Sequence, residues 1–445
     1  MPQSNLKKNI GIGAALSTVM GTVIGAGVFF KTASVVANTH SVTLTILAWI
    51  IGGLLTICGG LTVSELAAAI PKTGGTIQYL KYTYGPLTGF LLGWAEMLVY
   101  FPANLAALSI VFSTQLINLF HLSASLSITI AIICALSITI INLLGSKIAG
   151  SVQSLTLIVK LIPIFIIVIA GLLLPGHVDV SFWPPMPSNG SGNLLTAFGG
   201  GLLATMFAYD GWINIGSIAG EMKNPQKDLP KAIILGLTFI MIIYVLVNWV
   251  FLKNMPLNQI AGNQNTAYEV AMKLFGGIGG KLVTIGILIS VYGAMNGYIL
   301  TGIRVPYAMA KDDQLPFSKY FARLSKHTAA PYVSGLFMFA VAVVMIFMGS
   351  FDMLTDMLVF VMWIFNCLLF VALFILRKRE PELVRPYKVP WYPVVPIIAL
   401  VGGVFILIST ILTQTTLAII GIIATLIGIP IYYGHKMMKK TSTEK

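Results

Sequence analysis

The chain is built of continuous apolar runs of roughly 20 residues or more, the length a helix needs to cross a bilayer. The runs do not alternate in the ~10-residue segments of a membrane β-barrel. With 57% apolar and 9% charged residues, against about 25% charged in soluble domains, an ordinary soluble enzyme and a disordered chain are both excluded. No polar stretch is long enough for a separate soluble domain. The expectation is an all-α polytopic membrane protein, a single domain over 1–445, with spans at 10–37, 42–69, 86–115, 124–144, 150–174, 195–220, 230–252, 277–303, 331–349, 353–376, 393–411 and 414–434.

A net charge of +13 would suggest nucleic acid in a soluble chain, but here its placement is an orientation signal. With the N-terminus inside, 22 of the 27 Lys and Arg fall in inner segments, among them Lys7, Lys8, Lys72, Lys223, Arg377 and Lys436. Lys31, Lys253, Lys273 and Lys281 are assigned outside, and Lys160 is left within a span. The positive-inside rule then predicts both termini in the cytoplasm. Cys58, Cys134 and Cys367 lie within apolar runs, where they pack as small hydrophobes. The first apolar stretch is too long for a signal-peptide core.

Two spans are interrupted. Span one carries Gly21-Thr22-Val23-Ile24-Gly25-Ala26-Gly27; span six carries Phe207-Ala208-Tyr209-Asp210-Gly211-Trp212, preceded by Gly199-Gly200-Gly201. Glycine weakens a helix by about 1 kcal/mol, and unwound backbone is tolerated in a bilayer only where protein or a watery cavity surrounds it. The breaks head two five-span blocks, 10–174 and 195–376. An odd span count inverts one block relative to the other, so an inverted repeat with a midplane site between discontinuous helices is expected, with 393–434 outside it. Small-residue helix packing is the competing explanation for Gly21 and Gly25.

The N–H end of a half-helix suits a carboxylate and unwound carbonyls suit an ammonium, so together the breaks recognise a zwitterion. Gly25, Ala26 and Gly27 let a ligand approach the backbone, with Thr22 and Val23 beside them. Carbonyls near Phe207, Ala208 and Tyr209 would take the amino group, Gly211 is a further substrate-binding candidate, and Phe207 and Tyr209 either cover the ligand or pack as core.

Gly21 to Phe29, Phe207 to Trp212, Gly220-Glu221-Met222-Lys223-Asn224-Pro225 through Leu229-Pro230-Lys231-Ala232, and Asn296-Gly297-Tyr298 to Arg304 resemble the L-type amino acid transporters over essentially the whole chain. These are a branch of the amino acid-polyamine-organocation superfamily, and bacterial alanine-serine-cysteine exchangers are the nearest likeness. The resemblance implies a LeuT-like fold with helices 1 and 6 broken, no cofactor, and sodium-independent exchange of small neutral amino acids. Some relatives have serine where Ala26 stands, so backbone N–H groups must serve here. Vertebrate relatives join a heavy subunit through a cysteine between spans three and four; residues 117–124 contain none, so no disulfide-linked subunit is expected.

Lys160 lies about ten residues into span five, where a charge costs about 2.5–3.5 kcal/mol on insertion scales. Either it snorkels or, as the resemblance implies, its ammonium replaces a transported cation near Gly21 and Ser290. Asp210 has two alternative roles, capping the start of the second half of span six or meeting the substrate side or a proton. Trp212 is a further candidate for the pocket lining, and Glu65, at the end of span two, reads as a gate or interfacial ion pair. The five histidines fall in loops or at termini, offering no metal site, and no nucleophile triad or phosphate loop is present. A proton-coupled symporter is the rival within the class; an intramembrane enzyme and a channel are rivals outside it.

Overall fold

The computed structural model describes residues 11–70, 75–183, 193–213, 222 and 224–443, and these are helical, with no strand among them. Lys7, Lys8, Lys72, Lys223, Lys445 and the Gly220-Glu221 part of the motif after span six lie outside the described residues. In chain order the helices are α1 (Ile12–Val23), α2 (Gly27–Thr39), α3 (Val42–Ala69), α4 (Gly75–Tyr84), α5 (Pro86–Ala95), α6 (Phe101–Phe120), α7 (Ser127–Leu143), α8 (Ser146–Val159), α9 (Leu161–Leu173) and α10 (Leu194–Ala208). There follow α11 (Pro225–Asn254), α12 (Leu257–Ile260), α13 (Thr266–Gly302), α14 (Arg304–Lys311), α15 (Ser318–Phe321), α16 (Tyr332–Met348), α17 (Phe351–Arg379), α18 (Val394–Thr413), α19 (Thr415–Leu426) and α20 (Gly428–Thr443).

Nine helices among the described residues are long and apolar enough to cross a membrane, or ten when α1 and α2, bent by 51° at their junction, count as one span. Helices satisfy every backbone group within the segment, which is why apolar sequence of this length takes no other form in lipid. The expected spans six and nine appear as the shorter apolar helices α10 and α16. Lys31, Lys253, Lys273 and Lys281 lie on α2, α11 and α13, helices that reach beyond the apolar windows. A π-helical turn, Glu96–Tyr100, joins α5 to α6. Pro102, just beyond it, has no N–H to offer the Leu98 carbonyl within the turn.

The chain clusters into two compact units, each assembled from separate stretches. Unit one comprises Met1–Gly89, Gly176–Asn263 and Met362–Gln414. Within it α10 packs on α2, α3 and α18, and α11 on α1 and α3. Small residues permit these approaches: a Cβ on Gly201 would stand 2.6 Å from Thr39 Cγ2, and Gly200 and Gly199 face Asn38 and Ser409 just as closely. Gly199-Gly200-Gly201 is therefore a packing stripe inside unbroken α10, not part of the span-six break.

One end of unit one is tied by charge. Glu65, fully buried, accepts hydrogen bonds from Arg377 Nε at 2.9 Å and Nη2 at 2.6 Å and from the Val389 N–H at 2.7 Å, and pairs with Arg385 Nε at 3.5 Å. The Arg377 guanidinium lies 3.7 Å over the Tyr392 ring. Beside it the Tyr82 hydroxyl donates to Glu380 Oε2 at 2.6 Å and holds that carboxyl below its usual range. α3, α4, α17 and the 380–393 segment are thus joined.

Unit two comprises Phe90–Pro175, Gln264–Val361 and Thr415–Lys445. Its centre is α13, packed on α6, α7, α8 and α9. Asn296, in the motif singled out for span eight, is fully buried; its Nδ2 donates to Ala149 O at 2.8 Å and Gln153 Oε1 at 3.1 Å, and its Oδ1 accepts from Asn142 at 3.0 Å. That residue braces three helices.

Candidate site at the paired helix breaks

α1 ends at Val23, Ile24 is extended (φ −68°, ψ 109°), and α2 restarts at Gly27. Ala26 supplies no side-chain cap; the Phe29 N–H bonds Ala26 O at 3.1 Å, and the Gly27 and Val28 N–H groups stand at the positive end of the α2 dipole. The second break follows Ala208, where α10 stops; Tyr209 N–H bonds Thr205 O at 3.1 Å, Asp210 N–H bonds Phe207 O at 3.3 Å, and Gly211 turns the chain with φ +99°. Gly211 is in the left-handed region that favours glycine. The half of span six that Asp210 would cap lies largely outside the described residues.

The two breaks lie against each other within unit one. A Cβ on Gly27 would stand 2.5 Å from Ala208 Cα, and one on Gly211 would stand 2.6 Å from Thr22 O. Gly27 is therefore required first by the contact of two backbones. Around Gly25 the nearest atom is Val23 O at 3.9 Å, so the room beside the backbone is there.

A residue that sequence reasoning did not single out bridges the breaks. Tyr244 of α11, fully buried, points its hydroxyl at Val23 O and at Ala208 O, each at 3.1 Å. One proton serves both acceptors, and each carbonyl keeps a lone pair for a further donor. Only an aromatic with a polar tip inside an otherwise apolar stretch of α11 hinted at this.

The other candidate side chains are engaged as follows. Tyr209 is turned toward α3: its hydroxyl donates to Trp49 O at 2.8 Å and its ring lies 5.9 Å from Trp49 and 5.2 Å from Tyr244. Of the two readings for its ring, these contacts match core packing. Trp212 stacks on Phe370 at 6.3 Å and fills the space above Gly59. The Thr22 hydroxyl bonds back to Val19 O at 3.1 Å. Phe207, 5% exposed, closes the last turn of α10, and the Lys31 Nζ lies 5.8 Å from its ring centroid.

The remaining candidates divide between the units. Gly21 belongs to α1 in unit one. Lys160 stands in unit two at the junction of α8 and α9, with helical φ −64° and ψ −21°, and is 6% exposed. It is buried, not snorkelled. Thr156 on one side of it faces Gly293 of α13 and Pro163 on the other faces Gly286, which sets Lys160 level with the turn carrying Ser290. Ser290 Oγ is fully buried with no hydrogen-bond partner among the described residues.

A multi-pass helical membrane protein with two broken helices meeting at their backbones has the build of a small-molecule transporter. The amino acid permease family profile matches residues 10–433, and the chain belongs to that family. It is 40% identical to the serine/threonine exchanger SteT of Bacillus subtilis (strain 168), over 98% of each chain. It is 29% identical to the cystine/glutamate transporter of Homo sapiens, over 96% of this chain and 85% of that one, and 28% identical to Asc-type amino acid transporter 1 of Mus musculus, over 96% and 81%. The likeness to the L-type transporters is borne out, and the chain is a membrane transporter and not an enzyme.

Proposed function

We propose that the chain is a sodium-independent antiporter that exchanges small neutral L-amino acids of the alanine, serine and cysteine type by alternating access. The observation that carries this reading is the pairing of the breaks: the first turn of α2 lies against the backbone of Ala208 at the end of α10, a helix N-terminus that suits a carboxylate next to unwound backbone that suits an ammonium. In this reading Gly25, Ala26 and Gly27 receive the α-carboxylate, the Phe207, Ala208 and Tyr209 carbonyls receive the α-amino group, and Phe207 stands over the ligand. A serine/threonine exchanger among the relatives favours a small, neutral side chain.

Lys160 serves as a resident cation and removes the need for a transported one. The blocks 10–174 and 195–376 are the two halves of an inverted repeat; each unit draws on both, unit one taking the first two spans of each block and most of the last span of the second. The protein acts in the cell membrane with both termini cytoplasmic and without a disulfide-linked subunit.

The test is counterflow in proteoliposomes. Uptake of labelled serine or alanine should require internal amino acid and ignore sodium. Accumulation in empty vesicles only under an imposed sodium or proton gradient would refute the exchanger reading and favour the symporter.

A further inference from the structure

Lys31 has no exposed surface, although it carries the one charge on α2, half of the bent membrane-spanning pair. Such a charge is costly there and rarely lacks a purpose. A snorkelled lysine would reach water with its head, and this one is buried to the tip. It stands one helical turn beyond Gly27, and its Nζ lies 5.8 Å from the centroid of the Phe207 ring, itself almost wholly buried. Phe207 immediately precedes Ala208, the residue whose backbone Gly27 touches. α2 and α10 thus meet at two neighbouring levels, one made of backbone and one of a cation facing an aromatic ring. Away from water the attraction of an ammonium to the ring quadrupole is at its strongest.

We infer that Lys31 is a positioning residue for the candidate amino acid site: its ammonium holds the Phe207 ring by a cation–π contact and so sets where that ring stands beside the helix breaks. The inference rests on the function proposed above for the meaning of that position, while the contact itself stands on geometry alone.

The experiment replaces Phe207 by its mono-, di- and trifluoro analogues through amber suppression, in the wild type, in Lys31→Arg and in Lys31→Met. Fluorine drains the ring face of negative charge with little change of size. The melting temperature of the purified protein should fall stepwise with each fluorine in the wild type and in Lys31→Arg, and should not respond in Lys31→Met. The exchange KM should rise with the same steps, by about fivefold for the trifluoro ring. A flat melting series in the wild type, or an equal slope in Lys31→Met, overturns the contact; because the fluorinated wild type keeps its fold, this holds even when Lys31→Met cannot be purified. A melting slope with an unchanged KM overturns the positioning role. A wild type that exchanges no amino acid refutes the proposed function instead, and the melting series still decides the contact.

Discussion

At the scale of single residues, the glycines of span one separate into two kinds once their surroundings are known. Gly25 has open space about it, whereas Gly27 rests on Ala208 Cα. Gly25→Val is expected to keep a monodisperse, folded protein and to weaken substrate binding at least tenfold, because its side chain fills room reserved for the ligand. Gly27→Val is expected to lower the melting temperature and yield as well, since overpacking a backbone contact costs about 1–3 kcal/mol or more. Scintillation proximity binding beside thermal unfolding tells the two apart; retained affinity in Gly25→Val would remove that residue from the site. Lys160 calls for a different measurement. Its side chain is buried in unit two, level with Ser290, and in the proposed cycle it biases one conformational state over another rather than touching substrate. Lys160→Ala should slow exchange of chemically different substrates alike, or make apparent affinity differ between the two faces. A substrate-selective loss would make it a ligand, and wild-type rates would leave it without a role in the cycle.

At the scale of elements, the segment after α17 is fastened by Glu65, which receives two guanidinium bonds and a backbone N–H in a fully buried position. Removing one partner of a buried ion pair strands the other and costs about 3–5 kcal/mol. Glu65→Ala should therefore lower the melting temperature strongly, and the strap at residues 380–393 should become protease-sensitive; limited proteolysis with mass mapping checks it. Glu65→Gln should recover part of the loss by keeping an acceptor for Arg377. Elements were also where the sequence was most legible. Apolar length placed α3 at its observed bounds, and glycine density located the break before Gly27. The same cue misled at Gly199-Gly200-Gly201, since a glycine run that unwinds a helix and one that lets a neighbour approach differ only in what lies 3 Å away. Tyr244 was legible only as a polar-tipped aromatic in an apolar stretch, because its role depends on carbonyls from two distant stretches.

For the whole molecule, the proposal makes transport a strict trade of one amino acid for another. Vesicles loaded with unlabelled serine should take up labelled serine at the same rate in sodium and in potassium, and the initial rate should be insensitive to an imposed membrane potential. A potential-dependent rate would show that net charge moves in the cycle, which a neutral-for-neutral exchange forbids.

The contact of Gly27 with Ala208 has a further consequence, for the paths open to the gene. Because a side chain at position 27 would strike the Cα atom of residue 208 and not merely its methyl group, no replacement on α10 can make room for it. The clash is with the part of the chain that every amino acid shares. Intragenic suppressors of a Gly27 substitution should therefore never map to position 208; those that arise should lie along the rest of the α2–α10 contact, at Asn38 and Thr39, or where α10 rests on α18 at Ser409, so that the helices can tilt apart.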